Sequence, residues 1–279
     1  MRQKLTLALS MTLLLTGCGG ISHDSITPVS REDGSGTRGA FVELFGIQEK
    51  DENGNKMDMT TDLAEITNST AVMLLTVTGN KNAIGYISMG SMNAAVKTLE
   101  IDGVEATFEN IKNGTYKVAR PFNIATKADV SPAAQDFINY ILSAEGQKIV
   151  EASGYISQDN TGAYEPTTAK GNVVVSGSSS VAPVVEKIKE AYEAINPNVT
   201  VEMQQSDSTI GMNSLKEGMC DIGMASRELK ESELEAGLIP TVIAMDGIAV
   251  VVNHKNAVDG LKSEEVKAIY KGEMDEWTE

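Results

Sequence analysis

Ser30-Arg31-Glu32-Asp33-Gly34-Ser35-Gly36-Thr37-Arg38 follows a short strand-forming run, Ile26 to Val29, and precedes a segment in which Phe41, Leu44 and Phe45 recur at helical spacing before Gly46 closes it. The local reading is strand, turn, helix. Within the turn, Gly34 and Gly36 let the backbone approach a bound group closely, because no Cβ intervenes. Ser35 and Thr37 add hydroxyls and Arg31 a guanidinium. No Lys-Ser/Thr pair follows, so this is not a nucleotide-binding P-loop.

The pattern recurs. Val175-Ser176-Gly177-Ser178-Ser179-Ser180 joins a strand to a helix from Pro183, and Gln205-Ser206-Asp207-Ser208-Thr209 joins another strand to a helix through Met212 and Leu215. Asn68-Ser69-Thr70 opens Ala71-Val72-Met73-Leu74-Leu75. Each turn sets hydroxyls beside the unpaired N–H groups of a helix N-terminus, where the macrodipole is positive. That combination holds anions without net positive charge. Ser, Thr, Asn and Asp are also ordinary helix caps, so on spacing alone cap and anion site both stand.

Further helices are expected from Ser131-Pro132 through Phe137, Ile138 and Ile141 to Gly154, from Pro183 to Ile195, and from Ser263 to Lys271. Strands are expected at 172–175, 199–203, 242–244 and 248–252, rich in β-branched residues. Alternating strands and helices predict an α/β protein with largely parallel sheets. Residues 158–170, polar with Gly, Pro, Asn and Thr, read as a surface linker.

Composition narrows the function. The 279 residues carry a formal net charge of −16, which argues against nucleic acid and against direct attraction to an anionic membrane surface. Two Cys and two His exclude a disulfide framework and an ordinary zinc site. Cys220, beside Met219, reads as a small buried hydrophobe rather than a nucleophile. At the start, Arg2 and Lys4 precede an apolar run, Leu5 to Leu15, too short to span a bilayer. It ends in Leu15-Thr16-Gly17-Cys18, similar to a bacterial lipobox. The expectation is removal of residues 1–17, lipidation of Cys18, and a membrane-anchored protein on the extracytoplasmic face. Loss of Arg2 and Lys4 moves the charge from −16 to −18.

Together these blocks resemble the PstS family, the substrate-binding proteins of bacterial phosphate ABC transporters. Ser30 to Arg38 resembles its phosphate loop and Ser176 to Pro183 its N-terminal loop. Asp221 to Arg227, Ile243 to Ala249, Ala83 to Ser88 and Gly272 to Trp277 match further blocks. The order is changed: the Ser30 block, second in the family, comes first here. The reading is a circular permutation, with a half of a tandem duplication pairing between chains as the alternative.

The resemblance implies a two-lobe, periplasmic-binding-protein-like type II fold with a ligand cleft between the lobes. One lobe is expected to combine residues 21–122 and 247–279, the other to comprise 124–245 including the linker. Hinges are expected at Pro121-Phe122-Asn123 and Met245-Asp246-Gly247. The implied phosphate ligands are Arg31, Ser35, Gly36, Thr37, Ser179, Ser180 and Ser208. Some members have an Asp that accepts the proton of hydrogen phosphate. Here Ser226-Arg227 stands in its place: either Arg227 adds a cation or another carboxylate, Asp246 or Asp33, accepts the proton, and Ser226, Arg227 and Asp246 join the expected ligands.

The implied function is capture of inorganic phosphate for an ABC permease, with no cofactor, no metal and no catalysis. The alternatives are another oxyanion such as sulfate or molybdate, or a phosphate-sensing role. A serine-type hydrolase would need a base, and His254 and His23 lie in polar turns.

Overall fold

The computed structural model describes residues 25–52 and 56–277. The leader and Cys18 lie outside the described residues. The chain begins with β1 (Thr27–Arg31), α1 (Gly36–Leu44), β2 (Gln48–Lys50), β3 (Lys56–Asp58), β4 (Glu65–Thr67), α2 (Thr70–Gly79) and β5 (Ala83–Ser88). Then come β6 (Lys97–Thr98), β7 (Glu100–Ile101), α3 (Phe108–Lys112) and β8 (Ala119–Thr126). After α4 (Pro132–Leu142) and α5 (Ala144–Ala152), β9 (Gly171–Ser178), α6 (Ala182–Ile195), β10 (Val199–Ser206), α7 (Ser208–Glu217) and β11 (Ile222–Ala225) alternate. The last elements are α8 (Glu231–Glu235), β12 (Ile239–Val252), β13 (Gly260–Leu261) and α9 (Ser263–Lys271).

The main sheet runs β10-β9-β11-β8-β12-β5-β1-β4, with β6 paired to β12. It is mixed, which corrects the expectation of largely parallel sheets. β9, β10 and β11 are parallel to one another, as are β1, β4 and β5. β8 and β12, however, run antiparallel to each other, and β12 also to β5. These two strands pass between two large hydrophobic cores, and a smaller third cluster, with Ala125, Met212 and Leu215, shares β8 with the second. One core contains Phe41, Tyr86, Ile248–Val252 and Tyr270; the other contains Phe122, Phe137, Val175, Tyr192 and Ile243. A long strand crossing from one core to the other accounts for the second correction: the runs expected at 242–244 and 248–252 are one strand, β12.

The expected helix from Ser131 to Gly154 is two helices. Ser143 ends α4 and caps α5, its hydroxyl accepting from the Gly146 N–H at 3.2 Å. Residues 158–170 carry no regular structure, but Tyr164 pins them: its hydroxyl donates to Asp136 at 2.8 Å. Each fully buried aromatic contributes roughly 1.5–3 kcal/mol. In the first core Phe41 stacks on Tyr86 with centroids 3.9 Å apart, and Tyr270 meets Phe41 edge-on. Tyr86 carries this packing to the end of β1, where its hydroxyl accepts from the Arg31 N–H. The far ends of the described chain meet: Ser25 bridges Glu276, and the Ile26 N–H donates to the Asp275 carbonyl at 2.8 Å.

Candidate functional site

Four helix N-termini converge between the two cores. α1 and α2 come from the first and α6 and α7 from the second. Three are capped as their sequences dictate: Ser35 accepts from the Arg38 N–H, Ser69 from Val72 and Asp207 from Ile210. The hydroxyls that do not cap face one another. Thr37 Oγ1 lies 2.8 Å from Ser180 Oγ, and Thr70 Oγ1 lies 3.4 Å from the same atom. Arg31 Nη2 donates to Ser179 Oγ at 3.1 Å. Ser178 donates to Ser226 Oγ at 2.9 Å, and the Ser226 N–H donates to Ser208 Oγ at 3.1 Å.

Gly36 completes the cluster. A Cβ there would collide with Ser208 Oγ and Ser226 Oγ, so only glycine lets α1 approach the other lobe this closely. Nearby, the Thr209 N–H donates to the Gly34 carbonyl at 3.2 Å, a main-chain bond between the two halves. Arg31, Thr37, Ser179, Ser180, Ser208 and Ser226 are all at most 4% exposed. In so dry a place, hydrogen bonds to a charged group gain strength.

Arg31 is held from both sides. Its N–H donates to the Tyr86 hydroxyl at 3.1 Å, and Ser30 Oγ contacts the same hydroxyl at 2.8 Å. Burial pushes the Tyr86 phenol up to about 12, so it stays a neutral dipole. The Arg31 side chain forks onto Glu32, Nε to Oε2 at 2.8 Å and Nη2 to Oε1 at 2.7 Å. That leaves Nη1, and the second N–H of Nη2, turned toward Thr70 and Ser179.

Of the residues expected from sequence, the structure brings together Arg31, Gly36, Thr37, Ser179, Ser180, Ser208 and Ser226. Ser35 is buried beside them, with its hydroxyl spent on the α1 cap. Three of the expected residues stand apart from this cluster. Arg227 does not bring its charge to the cluster, because both terminal nitrogens are bonded to Glu233 at 2.8 Å. Asp33 is 94% exposed and pairs with Arg38. Asp246 is not among the hydroxyls: Oδ1 accepts from Ser88 Oγ and the Met89 N–H, and Oδ2 takes the Arg120 fork. Burial pushes the Asp246 carboxyl up to about 6, with the Arg120 guanidinium pulling the other way.

Sequence reasoning left Thr70 and Arg120 out of the site. Thr70 had a signal, the fourth hydroxyl turn. Arg120 had none, since its neighbours Ala119 and Pro121 say nothing of the partners it meets across the hinge. His254 is exposed, its Nε2 lying 2.9 Å from the Ala94 carbonyl, far in sequence and in bonding from the serine cluster. Cys220 is buried, and its thiol is pushed up to about 11 by that burial.

Two α/β lobes joined by crossover strands, with helix N-termini from both meeting at a buried guanidinium, define a two-lobe binding protein of the periplasmic-binding-protein type. Residues 19–145 and 162–279 match the PBP superfamily domain. Over 271 residues the chain is 54% identical to the phosphate-binding protein PstS 2 of Streptococcus agalactiae, covering 95% of this chain and 92% of that one. A crystal structure of a phosphate ABC transporter phosphate-binding protein from Streptococcus pneumoniae, 43% identical, superposes with a TM-score of 0.72 over 91% of this chain and 98% of that one. The phosphate-binding protein PstS of Staphylococcus haemolyticus is 35% identical but aligns over 39% of this chain and 36% of its own. The chain belongs to the PBP superfamily and, within it, to the PstS family.

Proposed function

We propose that this protein captures inorganic phosphate on the extracytoplasmic side of the membrane and delivers it to an ABC importer. It is a binding protein and not an enzyme. The observation that carries the reading is the Arg31–Ser179 contact between lobes, ringed by Thr37, Thr70, Ser180, Ser208 and Ser226. Arg31 supplies a fixed cation, and helix N-terminal N–H groups and hydroxyls supply neutral donors. A hydroxyl both donates and accepts, so the cluster can take the protonated oxygen of hydrogen phosphate without a carboxylate. The ligand set comprises Arg31, Ser35, Gly36, Thr37, Thr70, Ser179, Ser180, Ser208 and Ser226. The streptococcal relatives, both phosphate-binding by name, support the choice of anion.

Residues 21–122 with 247–279 are assigned to one lobe and 124–245 to the other, with hinges where β8 and β12 cross; among the described residues the cores support this division except at Phe122, which packs in the second core. The segment order is a circular permutation. The bridge between Ser25 and Glu276 supports it, since joining these ends needs no rearrangement. The short alignment to the staphylococcal relative also fits, because a collinear match between reordered chains recovers one portion. Lipid on Cys18 anchors the protein near its permease. Among the described residues no helix is long and apolar enough to cross a membrane.

Calorimetric titration of the purified protein with phosphate, in competition with sulfate, arsenate and molybdate, tests the reading. Stoichiometric phosphate binding that sulfate displaces poorly is expected. Preference for sulfate or molybdate would overturn the choice of ligand, and turnover of phosphate esters would overturn the binding-protein reading.

A further inference from the structure

The two crossover strands are joined by a buried ion pair that lies outside the hydroxyl cluster. Arg120 on β8 and Asp246 on β12 are register partners, with side chains 2% and 0% exposed. Arg120 Nε and Nη2 both reach Asp246 Oδ2, at 3.3 and 3.1 Å. The remaining bonds of the pair diverge. Asp246 Oδ1 accepts from Ser88 Oγ at 2.9 Å and the Met89 N–H at 3.2 Å, at the end of β5. Arg120 Nη1 donates instead to the Ser226 carbonyl at 3.0 Å, just past β11. β5 and β11 belong to opposite sides of the sheet, beyond β12 and β8 respectively.

Ser226 is the junction of the second-lobe half of the site. Its N–H holds Ser208, its hydroxyl meets Ser178, and its carbonyl is the atom Arg120 grips. The guanidinium plane is set by Phe122, whose ring centroid lies 5.3 Å from the Arg120 carbon. One planar cation therefore touches both crossovers and the anion-binding turn. A rotation of one lobe against the other must stretch either the Ser88–Asp246 end or the Ser226 end, because these are anchored on different sides.

We propose that Arg120 is a positioning residue that couples the hinge to the anion site, its fork tying the crossover strands through Asp246 while its third N–H holds Ser226 in the closed arrangement. The inference rests on the phosphate-capture reading for its ligand and on the ion-pair geometry for its mechanism. A lysine here would keep the charge and pair with Asp246, but a point charge cannot span the carboxylate and the Ser226 carbonyl together.

The test uses the full chain, inorganic phosphate as probe, stopped-flow association and release, and small-angle scattering without ligand. Arg120→Lys is expected to stay folded, to release phosphate about tenfold faster, and to associate within about twofold of the parent, since closed-state contacts act mainly on dissociation. Its scattering profile without ligand should be more open than the parent's. The double variant Arg120→Lys/Asp246→Asn should be no worse than the worse single variant, because the residues act as one unit. Val173→Ala, in the core of the second lobe, lowers stability without touching the pair and should leave release unchanged. Wild-type release from Arg120→Lys, or equal acceleration by Val173→Ala, would overturn the coupling. If the parent binds no phosphate, the functional reading fails; the scattering comparison then decides the hinge alone, and identical profiles for parent and Arg120→Lys overturn it.

Discussion

Arg31 and Ser179 stand 148 residues apart in the chain and 3.1 Å apart in space, guanidinium to hydroxyl, across the line where the two lobes meet. Arg31 ends β1 and Ser179 follows β9, so each stands just before a helix and brings that helix's N-terminus with it. The guanidinium is the cation bonded within the hydroxyl cluster of a chain whose net charge is −16. Long-range electrostatics therefore disfavour an anion, and the local donors must supply the affinity.

Replacing Arg31 with Ala should lower phosphate affinity by roughly 3 kcal/mol, the scale of one or two charge-assisted hydrogen bonds. Arg31→Lys should recover only part, because a single ammonium cannot bond Glu32 and the cluster at once. Calorimetry on both variants decides this; an Ala variant with parental affinity would remove Arg31 from the site.

Gly36 offers a steric test of closure. Gly36→Ala puts a methyl group against Ser208 and Ser226 while suiting the first turn of α1. Thermal stability should change by less than about 1 kcal/mol, whereas phosphate binding should fall at least tenfold because the lobes cannot close. Parental affinity would show that this approach is not needed for binding.

The missing carboxylate can be put back. Ser226→Asp would place an acceptor beside Ser178 and Ser208, next to where a protonated anion oxygen must lie. A carboxylate repels fully deprotonated anions and bonds one that carries a proton. The ratio of phosphate to sulfate affinity should rise by about tenfold or more, read by competition titration. A falling ratio would mean that the proton is accepted elsewhere.

Asp136 ties the 158–170 segment to its lobe. Its Oδ2 accepts from Tyr192 at 2.6 Å, Tyr164 at 2.8 Å and Asn196 at 3.1 Å. Burial alone would raise this carboxyl, but the hydrogen bonds outweigh it and hold it below its ordinary 3.8. With the folded value depressed, its contribution to stability is complete above 3.8 and is lost as pH falls through the lower folded value. Asp136→Ala should destabilise by roughly 2–4 kcal/mol at neutral pH, leaving the Tyr164 and Tyr192 hydroxyls without their acceptor. Asp136→Asn should flatten the acid limb of the stability profile. Denaturant unfolding of the three proteins between pH 2 and 7 reads both effects.

The permutation also has a direct test. Joining Glu279 to Ile21 and opening the chain within Gln158–Lys170 should yield a folded monomer that binds phosphate. Light scattering and titration check it. An unfolded product, or a dimer of the parent with exchanged halves, would favour the tandem-fragment alternative.

Strands, helices and the hydroxyl turns were legible in the chain itself, because each depends on a few adjacent residues. Ser35, Ser69 and Asp207 cap where a cap was expected, and helical spacing located α4, α6 and α9. The alternation of strand, turn and helix also determined the α/β class, and the turn residues determined that helix N-termini would carry the chemistry. Only the tertiary structure decided which charges reach the site. Arg31 ends β1 and Arg227 follows β11, each beside a serine, yet Glu233 takes Arg227 while Arg31 keeps donors for Ser179. Asp246 reads in sequence as a candidate acceptor for the ligand's proton, but the crossing of β8 and β12 sets it against Arg120. The reason is physical: a cap or an amphipathic face is settled within one or two turns of chain, whereas a buried charge is settled by whichever partner the fold delivers. For Asp246 the partners come from 126 residues away in Arg120 and 158 in Ser88.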